Sequence, residues 1–287
     1  MAATNTATRS EIRTQIRVYL LVEDLQRQFA AYLGTPTRAR GYPPYEGEHA
    51  LIVEVSPALA IERVIDLAPT NAQAVLLQTM IAVARGDLPD ARAAVAAGAR
   101  RIDPTTLYPF LAMYQDLYWV LDDAQQREVL SLPPSAFDND RGVWALVRTE
   151  LYQLRGDSVR ALAYADSARL TLEAQSHAAP YDAQRHAILG VALAYLGRKS
   201  DAIREGRRGA ELLPVSEDAI NAPYVQLQLA RIYVLTGEPD QAVQVLEGLL
   251  ARPFYVSRAW LRMDPAFRPL QGHPGFEALQ SDPGRTP

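Results

Sequence analysis

The sequence predicts a mainly α protein: an α-solenoid of stacked antiparallel helix pairs, preceded by a short α+β segment. Three observations carry that prediction. From about residue 70 onward, apolar residues recur at i, i+3, i+4 and i+7, the spacing that lines one face of a helix. Four similar turns recur along the same stretch: Arg85-Gly86-Asp87, Arg155-Gly156-Asp157, Leu196-Gly197-Arg198 and Thr236-Gly237-Glu238. Each is followed, five residues after its glycine, by an alanine: Ala91, Ala161, Ala202 and Ala242.

Residues 1–11 are rich in Ala, Thr and Asn and are expected to be a disordered tail. They contain no apolar run of the kind a secretory signal needs. Two β-like runs follow, Ile16–Val22 and Ala50–Val55, with a Pro- and Gly-containing loop from Gly34 to Gly47 between them. Ser56-Pro57 reads as an N-cap followed by proline in the first helical turn, so Leu59–Ala68 is predicted as a helix. Pro69 ends it. Residues 12–68 therefore form a partial α+β unit, residues 69–253 carry four or five helix pairs, and residues 254–287 form a C-terminal cap and tail.

Packing explains the phased residues of the stack. A glycine lets the first helix of a pair end in a left-handed turn without a Cβ penalty. The alanine sits on the second helix where the two backbones come closest, and a large side chain there overpacks. The first two turn glycines lie about two periods of roughly 34 residues apart, which predicts a worn repeat between them. The best copy runs from Ile188 to Pro214. There Gly190, Gly197, Ala202, Gly209 and Pro214 take small, turn, small, small and terminator positions. With these residues the region from about 70 to 250 resembles tetratricopeptide repeats. The run Ala259 to Leu270, followed by His273 to Leu279, resembles the segment that closes such regions in bacterial signalling proteins. That resemblance implies that Trp260, Phe267, Leu270 and Phe276 cover the open end of the solenoid.

A second resemblance lies upstream. Arg17-Val18-Tyr19, Leu25-Gln26-Arg27-Gln28, Gly34-Thr35, Arg40-Gly41, Pro44 through Gly47 and Leu51-Ile52-Val53-Glu54-Val55-Ser56-Pro57 fall in order, completed by Ala60-Ile61, Arg63-Val64 and Asp66. Residues 12–68 resemble the opening of a tandem-domain, trimer-forming bacterial microcompartment shell protein. The resemblance implies a strand, helix, strand, helix order in a domain that tiles edge to edge into sheets with metabolite pores. The remainder of that domain gives way at Pro69 to the helical repeats, so the join reads as a mosaic, a fusion or an engineered chimera. Half a domain leaves an open sheet edge, and Leu59–Ala68 is then free to serve as the first, capping helix of the stack.

Composition limits the function classes. A hydrophobic fraction of 48% with 22% charged residues argues for a packed core. The net charge is −4 with no basic block, which argues against nucleic acid as a partner. There is no cysteine, so thiolate chemistry and Cys-based metal sites are excluded. No run of ~18 apolar residues predicts a membrane span, and a cytoplasmic location is expected. The histidines, His49, His177, His186 and His273, show no i, i+4 metal spacing. Asp138-Asn139-Asp140 lacks the downstream glutamate of a calcium loop and reads as a helix-capping turn before Val143. Arg204, Arg207 and Arg208 form a basic helix face, read as solvated. No phosphate loop, nucleophile elbow or metalloprotease motif occurs, so neither catalysis nor a cofactor is expected.

The expected function is that of a non-catalytic scaffold that holds a protein or peptide in a helical-repeat groove. The alternative is a microcompartment shell-associated or assembly protein, with shell proteins as partners. First helices line such a groove. By register the candidates are Gln73, Leu76 and Met80; Leu146, Glu150 and Gln153; Gln184, Val191 and Tyr195; and Tyr224, Gln228 and Arg231. The Lys/Asn set that clamps a C-terminal carboxylate is absent from these positions, leaving a mixed apolar and amide surface suited to a helix or an extended peptide.

Overall fold

A computed structural model describes residues 57–218, 221–252 and 254–281. The two strand-like runs, the loop between them and the N-terminal tail lie outside the described residues. Among those residues the chain is helical, with no strand.

Helix α1 (Pro57–Leu67) leads into the first pair, α2 (Ala72–Arg85) and α3 (Leu88–Gly98). Ile61, Val64 and Ile65 of α1 are buried against α2, so the helix predicted after Ser56-Pro57 caps the stack. Asn71 caps α2 by accepting a hydrogen bond from Ala74 N–H at 3.1 Å. The turn at Gly86 has φ +86°, and its N–H bonds back to Ala82 and Val83 carbonyls. Gly156, Gly197 and Gly237 repeat that left-handed geometry with φ between +71° and +77°. The phased alanines Ala91, Ala161, Ala202 and Ala242 are all buried.

The next pair departs from the pattern. Helix α4 (Pro104–Met113) is followed by a 3-10 turn, Leu117–Trp119, before α5 (Asp123–Ser131). Its linker has no glycine; Gln115 and Asp116 take the left-handed conformation instead, with φ +62° and +53°. For residues with a Cβ that conformation carries strain, held here by the surrounding packing. Asp122 caps α5 in a reciprocal arrangement with Gln125.

Three regular pairs follow: α6 (Arg141–Leu154) with α7 (Ser158–Ala178), α8 (Ala183–Tyr195) with α9 (Lys199–Leu212), and α10 (Ala222–Leu235) with α11 (Pro239–Leu250). Each first helix packs on its own second helix, and α10 packs on both α8 and α9. A close approach is at Gly190. A Cβ there would stand 2.6 Å from Ile232 Cδ1 and 2.9 Å from the Ala202 carbonyl oxygen.

The C-terminal segment comprises α12 (Arg258–Met263), a 3-10 stretch Pro265–Leu270, and α13 (Pro274–Gln280). It covers the last pair, as the sequence implies, through contacts of Pro265–Leu270 with α10 and of α13 with α11. It also packs on α2, at the other end of the chain. Ser257 Oγ donates to the Ala84 carbonyl at 2.6 Å, and the Trp119 and Trp260 rings meet edge to face at 6.3 Å. One continuous core therefore joins Ile61 through Leu151 to Leu227 through Phe276. The solenoid closes on itself instead of ending in an open cap.

Candidate functional site

Closure of the stack leaves a cleft of about 470 Å³ on its inner face. Four first helices contribute: Gln73 and Leu76 from α2, Leu146 and Glu150 from α6, Gln184 and Ile188 from α8, and Tyr224 from α10. The irregular pair adds Tyr114, Gln115 and Asp116, and the turn before α6 adds Asp138 and Asp140. The wall is apolar at Leu76, Phe137, Leu146 and Ile188 and acidic at Asp116, Asp138, Asp140, Glu150 and Asp182, with Arg185 as the cation among the lining residues.

The carboxylates differ in what already holds them. Asp140 caps α6, accepting from the Gly142 and Val143 N–H groups at 2.9 and 3.1 Å, and pairs with Arg185. Burial works to raise its pKa, but the Val143 N–H, Arg185 and Gln175 outweigh it and hold the carboxyl below its ordinary value. Asp182 caps α8 at Arg185 N–H. Asp138 accepts from the Tyr114 hydroxyl at 3.3 Å. These groups are engaged.

Beneath the cleft lies a buried charged cluster. Arg231 Nη1 sits 2.8 Å from Asp116 Oδ2 and 3.3 Å from Glu150 Oε1, and its Nη2 donates to the Tyr118 hydroxyl at 2.9 Å. Gln228 Nε2 also donates to Asp116, and the Tyr224 hydroxyl reaches Asp116 Oδ1 at 3.5 Å. Asp264, just after α12, is 3% exposed and accepts from Trp260 Nε1 at 3.3 Å. Three buried carboxylates thus share the field of one guanidinium. Burial raises all three above the ordinary range, Glu150 well above it; Arg231 pulls each the other way. Burial also opposes the charge on Arg231, but Tyr118, Asp116 and Glu150 more than compensate and keep it ionised.

Glu150 is the member whose hydrogen-bonding capacity is unused. Its side chain is 1% exposed, and neither carboxylate oxygen accepts a hydrogen bond among the described residues. Its ion pair with Arg231 is at ion-pair distance, too poorly aligned to count as a hydrogen bond. Gln115 Oε1, lining the same cleft, is also buried without a partner. Such orphaned acceptors are uncommon in protein interiors.

The residues predicted to line the groove divide into three groups. Gln73, Leu76, Leu146, Glu150, Gln184 and Tyr224 do line the cleft. Gln228 and Arg231 are on the predicted helix but are buried, turned to Asp116. Met80 and Val191 are core residues at 3% and 1% exposure, while Gln153 is exposed and Tyr195 partly buried, both outside the cleft lining. The 3.6-residue period places a residue on a helix face but cannot separate a groove wall from a contact with the neighbouring repeat. Asp116, Tyr118 and Asp264 escaped the sequence reading. Asp264-Pro265 carries the signature of a helix cap, and Asp264 does cap the 3-10 stretch at Ala266 N–H; nothing in the sequence marks its burial.

The other sequence candidates lie elsewhere. His186 Nδ1 is 2.7 Å from Glu205, an α8–α9 tie, and His273 contacts Asp240. Arg204 pairs with Asp201, and Arg207 donates to the Tyr233 hydroxyl at 2.9 Å. No group of metal-ligating side chains occurs among the described residues, and none of their helices is long and apolar enough to cross a membrane.

Comparison with known proteins bears on the N-terminal third. Residues 16–95 match the family model described as the CsoS1D N-terminal domain. The carboxysome shell protein CsoS1D of Prochlorococcus marinus is 39% identical over 74 residues, 26% of this chain and 28% of that protein. The carboxysome shell protein CcmP of Synechococcus elongatus is 37% identical over 54 residues, 19% of this chain and 24% of that one. The chain thus matches about a quarter of these relatives' lengths. A chain of the APC/C hetero-tetramer Cut9–Hcn1 structure overlaps 68% of this chain and 36% of its own, at 20% identity and a TM-score of 0.37. The helix pairs and their phased turns, rather than that overlap, define the stack. The shell-protein match runs past Pro69, where the sequence reading ended the resemblance, through α2 and into α3. The chain carries a segment similar to the N-terminal domain of a carboxysome shell protein, and the last part of that segment is built into a closed stack of helix pairs.

Proposed function

We propose that the chain is a non-catalytic scaffold of a bacterial microcompartment: its shell-like segment engages shell proteins, and its helix stack holds a further protein through the inner cleft. The observation that carries this reading is the similarity of residues 16–95 to shell proteins, on the same chain as a stack whose first helices converge on one cleft. The cleft's composition supports a binding role. Its acidic groups serve in caps, ion pairs and hydrogen bonds, and no histidine is among its lining residues, so no nucleophile and base are paired there. The reading implies action in the bacterial cytoplasm, where such shells assemble.

Co-purification tests it. The full chain should be retained by assembled shells containing CsoS1D-type proteins. A chain starting at Pro57, which keeps α1 and its buried face, should be lost from them while retaining its helical circular-dichroism spectrum. Equal retention of the two chains would reject the shell role.

A further inference from the structure

We propose that the inner cleft is a receptor for an arginine side chain, presented by an extended peptide segment of the partner protein and seated against Glu150. The inference rests on the binding role assigned to the stack and names the chemistry of its occupant.

Charge complementarity selects a cation. Asp138, Asp140 and Asp182 line the cleft against Arg185, so the wall is acidic before Asp116 and Glu150, which share Arg231 beneath it, are counted. An acidic wall alone selects nothing. The second observation is Glu150 itself: 1% exposed, lining the cleft, with both oxygens lacking a hydrogen bond. Gln115 adds a third unpartnered acceptor on the same wall. A buried acceptor left unmatched is costly, and a donor-rich ligand removes the cost. A guanidinium presents several N–H donors in a planar fork that fits both oxygens of a carboxylate at once. It is also more weakly hydrated than an ammonium, so it loses less on entering a site with apolar walls such as Leu76, Leu146 and Ile188.

The rim points to a peptide rather than a free cation. Gln73 and Gln184 stand at the cleft on α2 and α8, and each amide offers both a donor and an acceptor. A passing backbone presents the complementary pair at each residue.

The experiment is a fluorescence-anisotropy titration of the full chain with a short labelled alanine–glutamine peptide bearing one central arginine. The matched peptide carries citrulline, which keeps the shape and removes the charge. The arginine peptide is expected to bind about thirtyfold tighter or more. Glu150→Gln, of equal size, should erase that preference, whereas Arg204→Gln on the outer face of α9 should keep it. Equal binding of the two peptides, binding of neither, or a preference retained in Glu150→Gln would each overturn the proposal. Free arginine amide binding as tightly as the peptide would make this a small-cation site and would overturn the peptide assignment. Shell retention depends on residues before Pro57 and this titration on the cleft, so the two readings can fail separately.

Discussion

Arg231 Nη1 lies 2.8 Å from Asp116 Oδ2, fastening the last regular helix pair to the glycine-free linker of the irregular one. The contact explains why that linker departs from the repeat pattern. The left-handed turn at Gln115-Asp116 places an acid where a regular repeat would have a glycine turn, and that acid meets a cation from the far side of the closed stack. Arg231 is also the guanidinium that faces Glu150 and Tyr118. Replacing it with methionine keeps much of the volume but leaves the carboxylates without their partner. Arg231→Met is expected to lower unfolding free energy by about 3–5 kcal/mol, measured by urea denaturation. A loss within about 0.5 kcal/mol would mean that the cluster is held together by something else.

Glu150 gives the chain a pH dependence of unusual sign. Its folded pKa is raised well above the ordinary value of 4.5, chiefly by burial, with Asp116 and Asp264 adding and Arg231 opposing. Tyr118 and Tyr195 also face it. Between the unfolded and folded pKa values the native state holds more protons than the unfolded one. Its contribution to stability is therefore full below pH 4.5 and is lost as pH rises through the folded pKa. Asp116 and Asp264 shift in the same direction. Asp140 shifts the other way and contributes stability that is lost only as the solution becomes more acidic. The melting temperature of Glu150→Gln is thus expected to gain on the parent as pH increases from 5 toward 8. A constant difference across that range would show that Glu150 is ionised throughout.

Much of the stack was legible because its rules are local. A glycine turn, an alanine five residues later and a 3.6-residue apolar period lie within one helix pair, and each recurs. The Asp140 cap before Val143 was legible for the same reason. The closure was not. Whether Trp260 covers the end of α10 and α11 alone or also reaches α2 depends on the accumulated twist of the pairs, which no single repeat encodes. The charged cluster follows from that closure. Glu150 and Arg231 were identifiable as inward-facing residues, but their partners come from Asp116 in an irregular linker and Asp264 in the C-terminal segment. Met80 shows the converse limit: its register is right for the groove, yet the neighbouring packing buries it in the core.

The α8–α9 approach offers the sharpest packing test. Ala202 is fully buried, and its carbonyl oxygen would lie 2.9 Å from a Cβ on Gly190. No space remains for even a Cβ at Gly190 between these backbones, while Ile232 closes the site from α10. Ala202→Leu is expected to destabilise the chain by about 1–3 kcal/mol through overpacking. Val159→Leu, at a position 81% exposed on α7, should change stability by less than about 0.5 kcal/mol. Equal effects of the two substitutions in thermal melts would refute the close approach.

Trp260 tests whether the C-terminal segment closes the stack or merely covers its last pair. The ring is 1% exposed, meets Trp119 edge to face at 6.3 Å and lies 5.1 Å from the Tyr255 ring. Its N–H donates to Asp264, and its backbone N–H is capped by Ser257, whose hydroxyl reaches the Ala84 carbonyl on α2. Trp260→Ala removes the ring's part of this bridge and is expected to cost about 3–5 kcal/mol. The size of the loss would not distinguish the two roles, since any buried tryptophan is expensive to remove. The location of the loosening does. If the segment closes the stack, amide hydrogen exchange accelerates in α2 as well as in α12 and α13, while α8 and α9, packed on their own glycine-lined interface, exchange as before. Acceleration confined to α11, α12 and α13 would make the segment an end cap and leave the cluster of Arg231, Gln228 and Tyr224 with Asp116, Tyr118 and Glu150 as the tie across the ring.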